Sequence, residues 1–270
     1  MSMAPAAALL ALTRQAEGLW QAIAPLLPGF SVEVLPEIDS TNSELMRRGR
    51  DGQTAPVLLV AAQQTAGRGR LGRSWTSQAG DSLTFSLGLP LQPADWSGLS
   101  LLVGLSLAEH LHPAVRLKWP NDLWWQDRKL GGILVETANQ AERRWTVVGV
   151  GLNLATPALP LADGAAAALP AQPPIGLRAL DAAAADRDAG QWLAVLLPGL
   201  VQDLLRFEAS GFGPWVERFQ ARDALRGRPV RLSDGRQGVA EGVSVDGSLC
   251  LRTPDGLHQV HSGEVSVRPC

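Results

Sequence analysis

Three arginines and three glycines crowd into residues 67–75, Gly67-Arg68-Gly69-Arg70-Leu71-Gly72-Arg73-Ser74-Trp75, directly after an apolar run. Glycine permits left-handed turns and close backbone approach, while arginine presents a planar donor fork shaped for phosphate or carboxylate. The chemistry offered by such a loop is anion binding. Taken alone, the loop serves equally well as a solvated basic turn or as a nucleic-acid phosphate clamp. Further polar groups stand at intervals along the chain: Ser40-Thr41-Asn42, Gln64, Lys118-Trp119-Pro120-Asn121-Asp122, Lys129 ahead of Gly131-Gly132, Asn153 and Arg268. Each has an ordinary structural role open to it. Ser40, Thr41 and Asn42 can cap a helix, Gln64 can be solvated at a strand end, and Asn121 with Asp122 can make an Asx turn. Lys129 can be a surface charge, or can project into a cleft because the two glycines allow close approach.

The elements that must position these groups follow from the pattern. An amphipathic helix is expected over the N-terminal apolar stretch, where Leu19, Trp20, Ile23 and Leu26 continue the spacing that begins in residues 6–12. Residues 31–35 alternate as a short strand, and Thr41 with Glu44 has the form of a capping box opening a helix. Strands are expected at 57–62 and 82–89, with a largely buried helix at 99–111. A short strand at 115–118 is broken by Trp119-Pro120, because proline cannot donate to a ladder and biases its predecessor to extended geometry. Residues 133–137 and 145–154 read as hairpin partners, the latter with an exposed edge. Residues 157–174, rich in alanine and proline, read as a loop; helices follow at 181–188, 191–207 and 215–219. Beyond a boundary near Leu225, four short strand-like runs separated by Asp234-Gly235, Asp246-Gly247 and Asp255-Gly256 read as a small barrel.

Composition narrows the function classes. With 270 residues, 46% hydrophobic and 19% charged, the chain is ordinary globular material, and its net charge of −2 argues against a general nucleic-acid-binding surface. Only Arg14 is basic among the first 37 residues, so no DNA-reading domain is expected there and no DNA partner. Two cysteines, Cys250 and Cys270, are too few for a disulfide framework and suit a reducing compartment. No basic segment precedes the N-terminal apolar run and no membrane-length apolar stretch exists, so a cytoplasmic protein without membrane association is expected. The histidines form no metal pattern, and neither a G-x-S-x-G elbow nor a P-loop occurs.

The ordered series GRGRLGRSW, KWPND, KLGGILVE and VGVGLNL, preceded by Ser40-Thr41-Asn42, resembles the biotin protein ligases over residues 38–268. The resemblance implies an α+β fold: a catalytic domain over residues 1–225 with a mixed, largely antiparallel sheet flanked by helices, similar to class II aminoacyl-tRNA synthetases. It carries an N-terminal helical extension over 1–30, and an SH3-like β-barrel follows over 226–270. The implied reaction activates biotin with ATP to biotinyl-5'-AMP and transfers it to a lysine of a biotin carboxyl carrier domain of acetyl-CoA carboxylase or a related enzyme. Lys129 and Arg70 are implied as catalytic groups. Ser40, Thr41, Asn42, Gln64, Gly67, Arg68, Gly69, Arg70, Lys129 and Gly132 are implied to bind biotin. Arg70, Lys118, Trp119, Asn121, Asp122, Lys129, Asn153 and Arg268 are implied to bind ATP or the adenylate, with Asp122 beside the Mg2+. A monomer or a homodimer is compatible with the resemblance. Lipoate ligases and octanoyltransferases share the broad fold, but their glycine-triplet and lysine-cysteine arrangements are not found. A nucleic-acid module and a non-catalytic biotin-binding protein are the readings from other classes.

Overall fold

The computed structural model describes residues 5–140, 143–158, 173–261 and 267–270. Helix α1 (Pro5–Ile23) leads into β1 (Ser31–Ile38), α2 (Thr41–Arg50) and β2 (Val57–Gln64). A small hairpin of β3 (Gly67–Arg68) and β4 (Ser74–Trp75) precedes β5 (Ser82–Leu91) and α3 (Leu99–Leu111). Strands β6 (Arg116–Lys118), β7 (Asp122–Trp125), β8 (Arg128–Gln140) and β9 (Arg143–Asn153) follow. The helices α4 (Ala182–Asp186), α5 (Ala189–Ser210) and α6 (Val216–Arg222) come next. The chain closes with β10 (Pro229–Leu232), β11 (Gln237–Val243), β12 (Leu249–Thr253), β13 (Gly256–Val260) and β14 (Val267–Pro269).

Seven strands form one sheet in the order β1-β2-β5-β9-β8-β7-β6. The β1–β2 pair is parallel and the other pairs are antiparallel, as a mixed, largely antiparallel sheet requires. Because side chains alternate across a strand, β9 feeds two cores. Val148, Val150 and Leu152 face one core with Leu102 and Leu105 of α3 and Leu196 and Leu200 of α5. Trp145 and Val147 face the other, with Leu45 and Met46 of α2. Helix α2 packs on this second face, and the glycine-arginine hairpin lies beside it, with Trp75 against Gly151.

Strand β9 does not offer the exposed edge expected along residues 145–154. It runs between β5 and β8, paired to both from Arg144 to Leu152. Its near-continuous apolar run is that of a strand buried on both faces. The capping box also differs from expectation: Ser40, not Thr41, is the N-cap, its hydroxyl accepting from Ser43 N at 3.3 Å. Glu44 instead binds Arg47 and Arg48, and the Thr41 hydroxyl, not needed as a cap, bonds Gln64 and Ser86.

The second sheet is antiparallel, in the order β13-β12-β11-β10-β14. All three Asp-Gly pairs turn between consecutive strands, with positive φ at Gly235, Gly247 and Gly256, a region open to glycine at no steric cost. This small β-domain is tied to the larger one through Trp119 Nε1, which donates to Gly247 O at 3.0 Å, and through Arg228, which pairs with Asp127 at 2.6 Å. Residues 159–172 of the expected loop lie outside the described residues, as do residues 262–266. Among the described residues, no helix is long and apolar enough to cross a membrane. Cys250 and Cys270 are free thiols.

Candidate active site

On the α2 face of the large sheet a cavity of about 120 Å³ opens between the α2 N-terminus, the glycine-arginine hairpin and the middle of β8 and β9. Twelve of the residues singled out in the sequence line it: Ser40, Thr41, Asn42, Gln64, Arg68, Gly69, Arg70, Lys118, Asn121, Asp122, Lys129 and Gly132. The two ends of the cavity differ chemically.

One end is neutral and densely hydrogen-bonded. Gln64 Oε1 accepts from Thr41 N at 2.7 Å and from Thr41 Oγ1 at 3.0 Å. The Asn42 amide is directed on both sides: Oδ1 accepts from Ser86 Oγ at 2.6 Å, and Nδ2 donates to Leu134 O at 3.2 Å and to Glu136 Oε2 at 3.0 Å. This packing depends on glycine in β9. A Cβ on Gly149 would lie 2.7 Å from Asn42 Cγ, and one on Gly151 would lie 2.7 Å from Trp75 Cζ2. The alternation of VGVGLNL thus keeps bulk on one face and clears the other for the site.

The other end is cationic around one carboxylate. Asp122, which is buried, accepts from Lys129 Nζ at 2.6 Å through Oδ1 and from Lys118 Nζ at 3.4 Å through Oδ2. Lys118 is 5% exposed and also lies over the Trp124 ring, 5.3 Å from its centroid. Burial pulls the Lys118 pKa below the ordinary lysine value; Asp122 opposes that shift and Lys129 reinforces it. Burial likewise lowers the pKa of Arg70, against the pull of Asp122 and with the repulsion of Arg73. Among the described residues that line the cavity, Asp122 stands with Lys118, Lys129, Arg70 and Arg73, so this end favours an entering anion that can accept hydrogen bonds from them.

Local structure aims these groups. A register shift in the β7–β8 ladder falls between Leu123 and Trp124, beside the pair Trp124–Lys129, and such irregularities re-aim side chains. The backbone of Lys129 is pinned from the opposite side: its N–H donates to Pro173 O and its carbonyl accepts from Ile175 N, both at 2.9 Å. The hairpin closes on itself through Gly69 N to Arg73 O at 2.7 Å. At its tip Leu71 takes a left-handed conformation (φ 54°) while 56% exposed, a backbone choice that costs about 1–2 kcal/mol for a non-glycine residue.

Four residues singled out in the sequence do not line the cavity. Gly67 packs under the hairpin, against Trp75 and Gln64. Trp119 is fully buried and binds the small β-domain through Gly247. Asn153 spends its amide donors on Lys129 O and Ile175 O, both at 3.2 Å, and so braces the backbone behind Lys129. Arg268 is exposed on β14, opposite Arg231 of β10. Asn121 makes a long-range tie in place of an Asx turn, its Nδ2 donating to Ile133 O at 2.8 Å. Conversely, Ser86 and Glu136 hold the neutral end together without being singled out; each sits in a strand where it reads as ordinary alternation. Among the described residues, no cluster of three His, Cys, Asp or Glu side chains could hold a metal ion.

A helix-flanked mixed sheet with a half-neutral, half-cationic cavity, followed by a small antiparallel β-domain, defines a small-molecule and anion site on an α+β scaffold. Residues 34–153 match the biotin/lipoate A/B protein ligase family, and residues 226–268 match the biotin protein ligase C terminal domain. The chain is 36% identical over 252 residues to the bifunctional ligase/repressor BirA of Escherichia coli, covering 90% of this chain and 75% of that protein. It is 32% identical over 246 residues to the biotin--[acetyl-CoA-carboxylase] ligase of Paracoccus denitrificans, covering 86% and 98%. Among solved structures, the biotin protein ligase from Aquifex aeolicus in complex with biotin and ATP superposes with a TM-score of 0.73 at 29% identity, over 88% of this chain and 99% of that one. The chain belongs to the biotin protein ligase family.

Proposed function

We propose that the protein joins biotin to ATP, giving biotinyl-5'-AMP and pyrophosphate, and then passes the biotinyl group to a lysine of a biotin carboxyl carrier domain. Acetyl-CoA carboxylase or a related biotin enzyme would supply that domain. The observation that carries this reading is the two-ended cavity: a neutral hydrogen-bonding end at Ser40, Thr41, Asn42 and Gln64 suits the ureido ring, and a cationic end around Asp122 suits a carboxylate meeting a phosphate. In the first step a biotin carboxylate oxygen attacks the α-phosphorus and the bond to pyrophosphate breaks. In the second, the carrier amine attacks the acyl carbon, the bond to AMP breaks, and the amine loses its proton.

Neither step requires a side-chain nucleophile. What the site supplies is proximity and charge stabilisation as two anions are pressed together. Lys129 suits that role, because its partner at 2.6 Å is a carboxylate it can exchange for the substrate's. Lys118, Arg70 and the backbone N–H groups of the hairpin flank it. Asn153 acts through Lys129 by bracing its backbone, and no phosphate contact is proposed for Arg268. A magnesium ion arriving with the triphosphate would take Asp122 as its single carboxylate donor and neutralise phosphate charge, the mode in which this ion keeps most of its other ligands from phosphate and water. The lone carboxylate among lysines fits such an ion, and does not fit a resident metal. A cytoplasmic enzyme with no DNA partner is proposed. The test is to incubate the full chain with labelled biotin, ATP and Mg2+ and to separate the products: biotinyl-AMP bound at about one per site is expected, and biotin recovered unchanged would refute the reading.

A further inference from the structure

Glu136 stands on β8 outside the cavity wall, yet its carboxylate joins two elements that build the wall. Oε2 accepts from Asn42 Nδ2 of α2 at 3.0 Å, and Oε1 accepts from Arg68 Nη2 of the hairpin at 3.0 Å. Arg68 Nη1 lies 3.4 Å from Oε2 and 3.3 Å from Ser43 Oγ. The hairpin is anchored at its base, where Ala66 N donates to Asp39 O at 2.8 Å, and by Trp75 packed on Gly151. Within the hairpin Gly69 N donates to Arg73 O and Arg73 N to Arg70 O. Arg68 spans from the hairpin to the body of the domain, and Glu136 is where it lands.

The same carboxylate fixes the neutral end. The Asn42 amide has one orientation that satisfies its surroundings, with Oδ1 toward the Ser86 hydroxyl and Nδ2 toward Leu134 O and Glu136. Neutralising Glu136 leaves an oxygen for Asn42 while removing the partner charge of Arg68. The two functions can thus be separated by a single conservative substitution.

We propose that Glu136 is a positioning residue that latches the glycine-arginine hairpin over the cavity through Arg68, and thereby sets how long a bound acyl-adenylate is held. The second half of this proposal rests on the reading under Proposed function; the first half does not. With Arg68 48% and Glu136 22% exposed at the side chain, the pair belongs to the partly solvated class, whose upper range of ~1 kcal/mol corresponds to about a fivefold change in an equilibrium. Such a pair also weakens as salt screens it.

The experiment uses the full chain with Glu136→Gln, Arg68→Met and the double variant. Hydrogen–deuterium exchange of the amides in residues 67–75 is measured without ligand. Dissociation of preformed biotinyl-AMP is then followed by chase with unlabelled biotin and ATP. Each single variant is expected to exchange and to release the adenylate about fivefold faster than the parent at low salt. The double variant should be no faster than the singles, and the differences should shrink in about 1 M salt, where the screening length falls to about 3 Å. Melting temperatures should stay close to the parent's, which separates a latch from a general loss of structure. Parent-like exchange in Glu136→Gln, or single effects that multiply in the double variant, would overturn the latch. Faster exchange in a protein whose parent makes no adenylate would uphold the latch and sink the reading under Proposed function.

Discussion

Gly149→Ala is the substitution whose consequence the structure fixes most tightly. The added methyl would lie 2.7 Å from Asn42 Cγ and 3.2 Å from Nδ2, and closer still to Oδ1. The amide cannot rotate away cheaply, because hydrogen bonds to Ser86, Leu134 and Glu136 hold it from three directions. Relieving the overlap requires a displacement of about 1 Å, enough to break those bonds. At about 1 kcal/mol each, three hydrogen bonds amount to about 3 kcal/mol, or about a hundredfold in an equilibrium. Since Asn42 is wall and α2 N-terminus at once, the loss is divided between folding stability and the shape of the neutral end. The assay is calorimetric titration of biotin beside a urea unfolding curve, both on Gly149→Ala and on the parent. The expected result is a summed loss of about 3 kcal/mol, with biotin binding weakened at least tenfold. Biotin affinity within threefold of the parent's would refute the argument, because the neutral end would then not depend on where Asn42 stands.

Three further substitutions test separate parts of the account. Lys129→Met should lower the rate of adenylate formation by about 10²–10³-fold, the range for removing one charge-stabilising donor, while biotin binding falls less; pyrophosphate release measures the first and titration the second. Asp223 has one oxygen bonded to Leu225 N at 2.8 Å and the other buried without a partner, and burial pushes its pKa from 3.8 up to about 6, against the pull of the Leu225 and Arg226 amides. A raised folded-state value means that its contribution to stability is full below pH 3.8 and is lost as pH rises through about 6. Asp223→Asn should therefore match the parent in urea unfolding at pH 3.5 and exceed it at pH 8 by up to about 3 kcal/mol, and equal stability at pH 8 would count against the buried charge. Trp119→Phe leaves Gly247 O unpaired in a buried contact and should cost about 1–3 kcal/mol of stability. Because Trp119 adjoins Lys118, the KM for ATP should rise more than the KM for biotin; an equal rise in both would mean that the contact to the small β-domain does not steer the cationic end.

The parts of the site that could be read along the chain are those whose residue types are rare for their setting. A cluster of glycine and arginine, a lysine ahead of two glycines, and an Asn-Asp after Trp-Pro all stand out against a solvated surface, and twelve of the residues so chosen line one cavity. The groups that hold them escaped notice for the opposite reason. Ser86 and Glu136 are what alternation puts on the open face of any strand, and their importance appears only when β5, β9 and β8 stand side by side. Trp119 and Asn153 stand inside motifs with the rest of the site, but a buried indole or amide answers to whatever packs on it. For Trp119 that is a turn 128 residues downstream, and for Asn153 the carbonyls of Lys129 and Ile175. Misreading β9 as an edge has the same origin, since its two neighbours are set by long-range pairing that local periodicity does not encode.

The central claim is that one cavity couples biotin to ATP and then hands it on. Pyrophosphate release by the full chain with ATP and Mg2+, measured with and without biotin and then with a carrier domain added, tests it most directly. The account predicts release only when biotin is present, stopping near one equivalent until the carrier is supplied and then proceeding as the carrier becomes labelled. Release that does not depend on biotin, or biotin binding with no release at all, would contradict it.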